Sequence, residues 1–138
     1  IKISQIFESS GIDEAKSFAS SLTDNLYGFD FGPILFKPTL SGGAQTFRQD
    51  KEGTLSYFVG QNPKYPKDTG FGLKYWRDVR FDTSSTFIED TVAMWMGWVS
   101  FEDKDGKVTK VDKSWGYKKD SKGNLKIILH HSSLPYQD

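Results

Sequence analysis

The sequence holds 138 residues, with 18 Lys+Arg against 18 Asp+Glu, no cysteine, four Trp, six Tyr and eleven Phe. A single domain of this length buries roughly 68–70% of its unfolded surface, so a core can form without disulfides or cysteine-bound zinc. Zero net charge removes the electrostatic footprint of a nucleic-acid binder or a polybasic membrane-surface protein, and no run approaches the ~18–20 apolar residues that span a bilayer.

The chain opens with a short alternating segment, Ile1 and Ile3. Ser10-Gly-Ile-Asp13 then offers a hydroxyl cap with a carboxylate three residues on. Ile12, Ala15, Phe18, Ala19, Leu22 and Leu26 recur at helical spacing up to Gly28, which predicts one amphipathic helix over about 11–27 that packs on a sheet. Phe31 to Leu40, Gln45 to Arg48 and Leu55 to Val59 read as short β-favouring pieces between Gly, Pro and Asp clusters. Residues 60–75, with two prolines and three glycines, read as a long loop at the mouth of a site or on the surface. A helix followed by strands makes the fold class α+β.

The second half carries more information. Four strands are predicted at about 78–88, 91–101, 107–118 and 125–133, joined as an antiparallel meander. Two-residue turns at Glu89-Asp90 and Asp105-Gly106, with a five-residue turn at Asp120 to Asn124, set the register. Phe81 then faces Trp98, Trp98 faces Lys113, and Lys113 faces His131. Met96, Trp115, Tyr117 and Leu129 share that face by the two-residue alternation of a pleated strand. The opposite face receives Trp95, Val99, Asp112, Ile128, His130 and Ser132. Lys113 beside His131 next to Trp98 would attract an anionic group such as a carboxylate.

Other motifs carry less. Adjacent His130 and His131 point to opposite faces and cannot chelate one ion, so no metal and no cofactor is expected. Asp103 to Gly106 reads as a hairpin turn, because Phe101 cannot open a calcium loop. Gly70-Phe-Gly72 lacks a following helix and is no phosphate cradle. Neither a GxSxG elbow nor a thiol supplies a nucleophile. Lys37, Arg48, Lys74 and Arg77 frame the site and read as solvated charges. The absence of cysteine leaves the compartment open. The opening Ile1 is read as the mark of a removed upstream segment, which keeps export after signal removal among the options.

Phe36 to Leu40 (FKPTL), Leu55 to Gly60 (LSYFVG), Val111 to Asp120 (VDKSWGYKKD) and Leu125 to Tyr136 (LKIILHHSSLPY) resemble a bacterial and algal group within the nuclear transport factor 2-like superfamily, also called SnoaL-like or cystatin-like. The closing stretch is also similar to the last strand of the association domain of calcium/calmodulin-dependent protein kinase II. The resemblance implies one cone-shaped domain over 1–138, a helix packed on a strongly curved antiparallel sheet, with pairing of two copies through the sheet's outer surface at Trp95, Val99 and Ile128. It leaves function open, since isomerases, dehydratases, carriers and assembly modules share the scaffold.

Three functions follow as expectations. The first is a homodimer or higher homo-oligomer whose cavity binds a small organic molecule, a carboxylate by preference, through Phe81, Met96, Trp98, Lys113, Trp115, Tyr117, Leu129 and His131. The second is an association module with a filled interior. The third is an isomerase- or dehydratase-type enzyme with His131 as general acid/base and Lys113 stabilising an enolate-like charge.

Overall fold

A computed structural model describes residues 1–138 as three helices and five strands: α1 (Lys2–Ser10), α2 (Ile12–Leu26), β1 (Leu35–Lys37), α3 (Lys51–Val59), β2 (Trp76–Glu89), β3 (Val92–Asp103), β4 (Val108–Lys119) and β5 (Leu125–Ser133). The α+β class holds, and the strand order is β1-β5-β4-β3-β2. The sheet is mixed rather than wholly antiparallel, because β1 runs parallel to β5. No helix is long and apolar enough to cross a membrane.

The first half departs most from the sequence reading. The opening segment is helix α1, pinned by buried Ser4, whose hydroxyl donates to Gly72 O at 2.6 Å and accepts from Trp76 N–H at 3.0 Å. The cap of α2 is Gly11 rather than Ser10, with no side-chain bond. Leu55 to Val59 lies in helix α3, not in a strand. Asp50 caps α3 by accepting from Gly53 N–H at 2.8 Å, and Gly60 closes it with a positive φ of 63°. Helix α3 buries Gly53, Thr54, Ser56, Tyr57 and Val59, so it is covered on several sides and shows no amphipathic period to read. Of Phe31 to Leu40 only Leu35–Lys37 is strand, and Gln45 to Arg48 holds the end of a single 3₁₀ turn and irregular backbone.

The meander is where it was expected, but its register is not. The β3–β4 hairpin has a three-residue loop, Lys104 to Gly106, closed by Asp103 N–H to Lys107 O at 3.0 Å, and Gly106 takes the left-handed φ of 77° that this loop needs. The β2–β3 turn is Asp90-Thr91, since Glu89 pairs with Val92, and Ser84 is an extra residue on β2. The β4–β5 turn is as counted, but Ile128 bulges from β5, so Tyr117 pairs with Ile127 and Gly116 with Leu129. Each event leaves a net slip of one residue, which exchanges the two faces of a strand. Phe81 therefore faces Val99, Gly97 faces Lys113, and Trp115 faces His130.

The concave face packs on the helices. Tyr27, Ile34, Phe36, Tyr57, Phe71 and Trp76 form one buried cluster, and Ala15, Ala19, Val59 and Leu73 a second where small side chains let α2 approach α3. Val99 and Ile128, expected on an outer pairing surface, belong to this interior or pack against it, and Trp95 turns inward onto Trp115 with ring centroids 5.0 Å apart.

Arg48, expected to be solvated, is 3% exposed and forms a bidentate pair with Asp68 at 2.6 and 2.8 Å. It also donates to Gly53 O and lies over the Tyr65 ring, tying the 60–75 segment to α3. Burial opposes ionisation of Asp68, but the Arg48 bonds and the Ser56 hydroxyl outweigh it and hold the carboxyl below its ordinary range. The depressed value makes this pair's stabilisation complete above the unfolded carboxyl value, about pH 4, and lost as the pH falls through the folded one. Asp68→Asn strands a buried guanidinium and is expected to cost about 3–5 kcal/mol in urea unfolding at pH 7; an unchanged midpoint would remove the pair's structural role.

Candidate functional site

The interior holds a cavity of about 230 Å³ between the sheet, α3 and the turn at Phe71–Leu73. Its walls are mostly apolar, from Phe36, Phe71, Trp76, Val79, Val99 and Phe101, with Phe81 at an exposed rim. The polar groups on this lining come from Thr39, Tyr57, Lys113 and His130. β4 delivers Lys113 opposite Gly97, where a Cβ would collide with Asp82 O and the Trp95 ring.

Lys113 and His130 form the chemical centre. Lys113 Nζ lies 2.8 Å from His130 Nε2, and Tyr27 Oη lies 2.7 Å from His130 Nδ1. The three side chains make one buried chain from β4 through β5 to the end of α2. When Lys113 is charged, its ammonium donates to Nε2, and Nδ1–H donates to the Tyr27 hydroxyl. When the amine is neutral, it either donates N–H to Nε2 in that same tautomer or accepts from Nε2–H while the Tyr27 hydroxyl donates to Nδ1. The chain is thus satisfied in either direction. Phe36 holds the imidazole plane by stacking at 4.6 Å.

The electrostatics follow from burial. Lys113 is 6% exposed and belongs to none of the ion pairs; burial first, then the charge of Lys37, pushes its amine down to about 7. His130 is driven well below the ordinary imidazole value by burial, then by Lys113 and His131, so it is neutral at neutral pH. Burial raises the Tyr27 phenol well above its usual range and pushes Tyr57 up to about 12, so both are hydroxyl donors. Thr39 Oγ1 and Ser132 Oγ lie 2.5 Å apart at the same end, where Lys37 donates to Ser132 O at 2.9 Å. Trp115 Nε1–H is buried without an acceptor, a donor left for a ligand or water oxygen. No three His, Cys, Asp or Glu side chains gather into a metal-ligand set.

Of the residues expected to bind ligand, Phe81, Lys113 and Trp115 line this cavity. Tyr117 is interior, on a neighbouring apolar cavity behind His130 that also borders Tyr27 and Leu22. Met96, Trp98, Leu129 and His131 are corrected, because the register slips turn them to the outer face. Met96 is 58% exposed, Trp98 stacks under Lys110 Nζ at 4.5 Å, Leu129 borders an outer groove beside β1, and His131 Nε2 meets Ser133 Oγ at 3.0 Å in solvent. His131 and Lys113 point to opposite sides of the sheet, so the acid/base role proposed for His131 fails. Its neighbour His130, assigned outward by counting, takes the inward position. The count also missed Tyr27, Phe36, Thr39, Tyr57 and Ser132. Except for Tyr27, these residues lie inside the four segments that carried the superfamily resemblance.

The sequence model of the metal-independent carbonic anhydrase family matches residues 1–134. A metal-independent carbonic anhydrase from Nostoc sp. (strain PCC 7120) is 46% identical over 137 residues, covering 99% of this chain and 67% of the relative. Among solved structures, the iota-carbonic anhydrase of a cyanobacterium, in complex with bicarbonate, superposes with a TM-score of 0.97 at 46% identity, over 99% of this chain and 84% of that one. A calcium/calmodulin-dependent protein kinase II association domain from Thiobacillus denitrificans shares the fold alone, with a TM-score of 0.56 at 10% identity over 97% of this chain and 93% of that one. From the extent and identity of the first two matches, the chain belongs to the metal-independent carbonic anhydrase family.

Proposed function

We propose that this protein interconverts carbon dioxide and bicarbonate, with protein side chains doing the work that a metal-bound hydroxide does elsewhere. The observation that carries the reading is the buried Lys113–His130–Tyr27 chain on the wall of a small apolar cavity. The bicarbonate complex of the 46% identical structure supports it. Bicarbonate is also an anion of the carboxylate kind expected from the sequence.

Apolar walls suit carbon dioxide, which has no net dipole, and a few placed polar groups suit its hydrated product. In the hydration direction, the neutral amine of Lys113 takes a proton from water. The water oxygen forms a bond to the carbon, and one C=O π pair moves to an oxygen of the substrate. The hydroxyls of Thr39 and Tyr57 and the unpaired Nε1–H of Trp115, all from residues of the same lining, are the donors available to that oxygen as its charge grows. Lys113, now an ammonium, sits beside the bicarbonate anion and afterwards releases its proton to solvent. His130 keeps Lys113 placed and, being reversible in polarity, tolerates both protonation states.

A base that titrates near the working pH transfers protons most effectively in both directions. Hydration needs the neutral amine and dehydration the ammonium. The expected profile therefore has the carbon dioxide hydration rate (kcat/KM) rising through about pH 7, and bicarbonate dehydration falling through the same point, measured by stopped flow. Flat profiles in both directions would remove Lys113 as the base.

His130→Ala is expected to lower kcat by about 10²–10⁴-fold while the fold persists. Lys113→Met tests function against stability. The folded amine titrates near 7 and the unfolded one near 10.5, so the burial penalty is complete below pH 7 and fades as the pH rises toward the unfolded value. At pH 7 that penalty is roughly 3–5 kcal/mol, against about 1–3 kcal/mol for leaving His130 Nε2 unpaired. Lys113→Met should therefore melt higher than the parent and lose hydration; a variant that retains turnover would refute the assignment.

A further inference from the structure

We propose that Lys113 also takes up carbon dioxide covalently, as a reversible lysine carbamate on the cavity wall. The inference rests on the reading above in one respect, that carbon dioxide enters this cavity. It goes beyond that reading because the amine here acts as nucleophile instead of base.

Three features of the geometry point to it. Lys113 is a buried amine with no carboxylate partner, facing apolar walls that limit competing water. A hydrogen-bonding base, His130 Nε2, already sits 2.8 Å from the attacking nitrogen. A second cation, Lys37 on β1, repels the Lys113 charge while donating to Ser132 O at 2.9 Å and Thr39 O at 3.5 Å. An anion formed on Lys113 turns that repulsion into attraction. Of the other groups around the pair, Tyr27 behind the imidazole and Tyr57 from α3 are neutral at pH 7, while His131 on the far side of the sheet acts on His130 in the same sense as the Lys113 cation. Partial burial pushes the Lys37 amine down, and Asp112 opposes this by favouring its charged form.

The step balances without a further reactant. The Nζ lone pair attacks the carbon of carbon dioxide, an N–C bond forms, and one C=O π pair retreats to oxygen. The nitrogen gives up one proton to His130 Nε2, whose Nδ1–H is held by the Tyr27 oxygen. An imidazolium then faces the carbamate anion. Two of the three influences that keep His130 neutral are burial and the Lys113 cation, and carbamylation replaces that cation by an anion. The lowered Lys113 value adds selectivity: at pH 7 its neutral fraction exceeds that of an exposed lysine by about 10³-fold.

Carbamates are trapped by alkylation before digestion. The full chain is equilibrated with ¹³C-labelled carbon dioxide and bicarbonate at about pH 8, above the point at which Lys113 is half neutral, trapped with a trialkyloxonium salt, and mapped by mass spectrometry. We expect label on the peptide holding Lys113 at about 10-fold or more above any other lysine peptide. The label should fall when the pH is brought below 7 and should disappear in Lys113→Arg and Lys113→Met. Label spread evenly over the lysine peptides, or none at Lys113, overturns the proposal. Oxygen-isotope exchange on the same sample separates the two readings: exchange without label removes the carbamate and keeps the hydration activity, whereas label without exchange keeps the carbamate and removes the hydration activity.

Discussion

Everything chemical in this molecule depends on one unusual burial, that of the Lys113 amine against a neutral imidazole with no carboxylate nearby. A buried lysine that met an aspartate would stay charged and serve as an ionic strut. Here burial and the second cation, Lys37, bring the amine to the edge of neutrality, and His130 satisfies it whether or not it carries its proton. The arrangement costs stability, and the rest of the fold supplies what offsets that cost. The Phe36 stack, the two buried clusters and the Arg48–Asp68 clamp hold the walls in which the amine is desolvated.

The clamp shows how a charge pair remote from the cavity still bears on it. Arg48 and Asp68 join the residues after α3 to the body of the domain, and the segment they fix runs directly into Phe71 and Trp76, which wall the cavity. Ser4 of α1 fixes the other end of the same stretch through Gly72 and Trp76. The long loop read from the sequence is thus a wall held at both ends by buried polar bonds.

Much of the sheet was legible in the amino-acid order, because turn residues and β-branched or aromatic runs alternate clearly after residue 76. Helix α2 was legible for the same kind of reason, from Ala15, Ala19, Leu22 and Leu26 on one stripe. Helix α3 was not, because a helix buried on several sides carries no polar stripe, and its Asp50 cap and Gly60 end were the only signals it offered. In the site, Lys113, Trp115 and Phe81 were read correctly as inward, while His130 and His131 were exchanged. The error came from Ile128, a bulged residue whose local sequence looks like any other strand position.

Composition, alternation and turn chemistry thus determined by themselves the fold class, the four long strands and the zero net charge. Which side of the sheet each side chain occupies was decided only by tertiary structure. The Ile128 bulge is accompanied by packing of that residue against the buried aromatic cluster, a contact its immediate neighbours in the chain do not announce. Because a strand repeats every two residues, one such insertion exchanges inside for outside along everything beyond it. That single-residue displacement is what put His130, instead of His131, against Lys113.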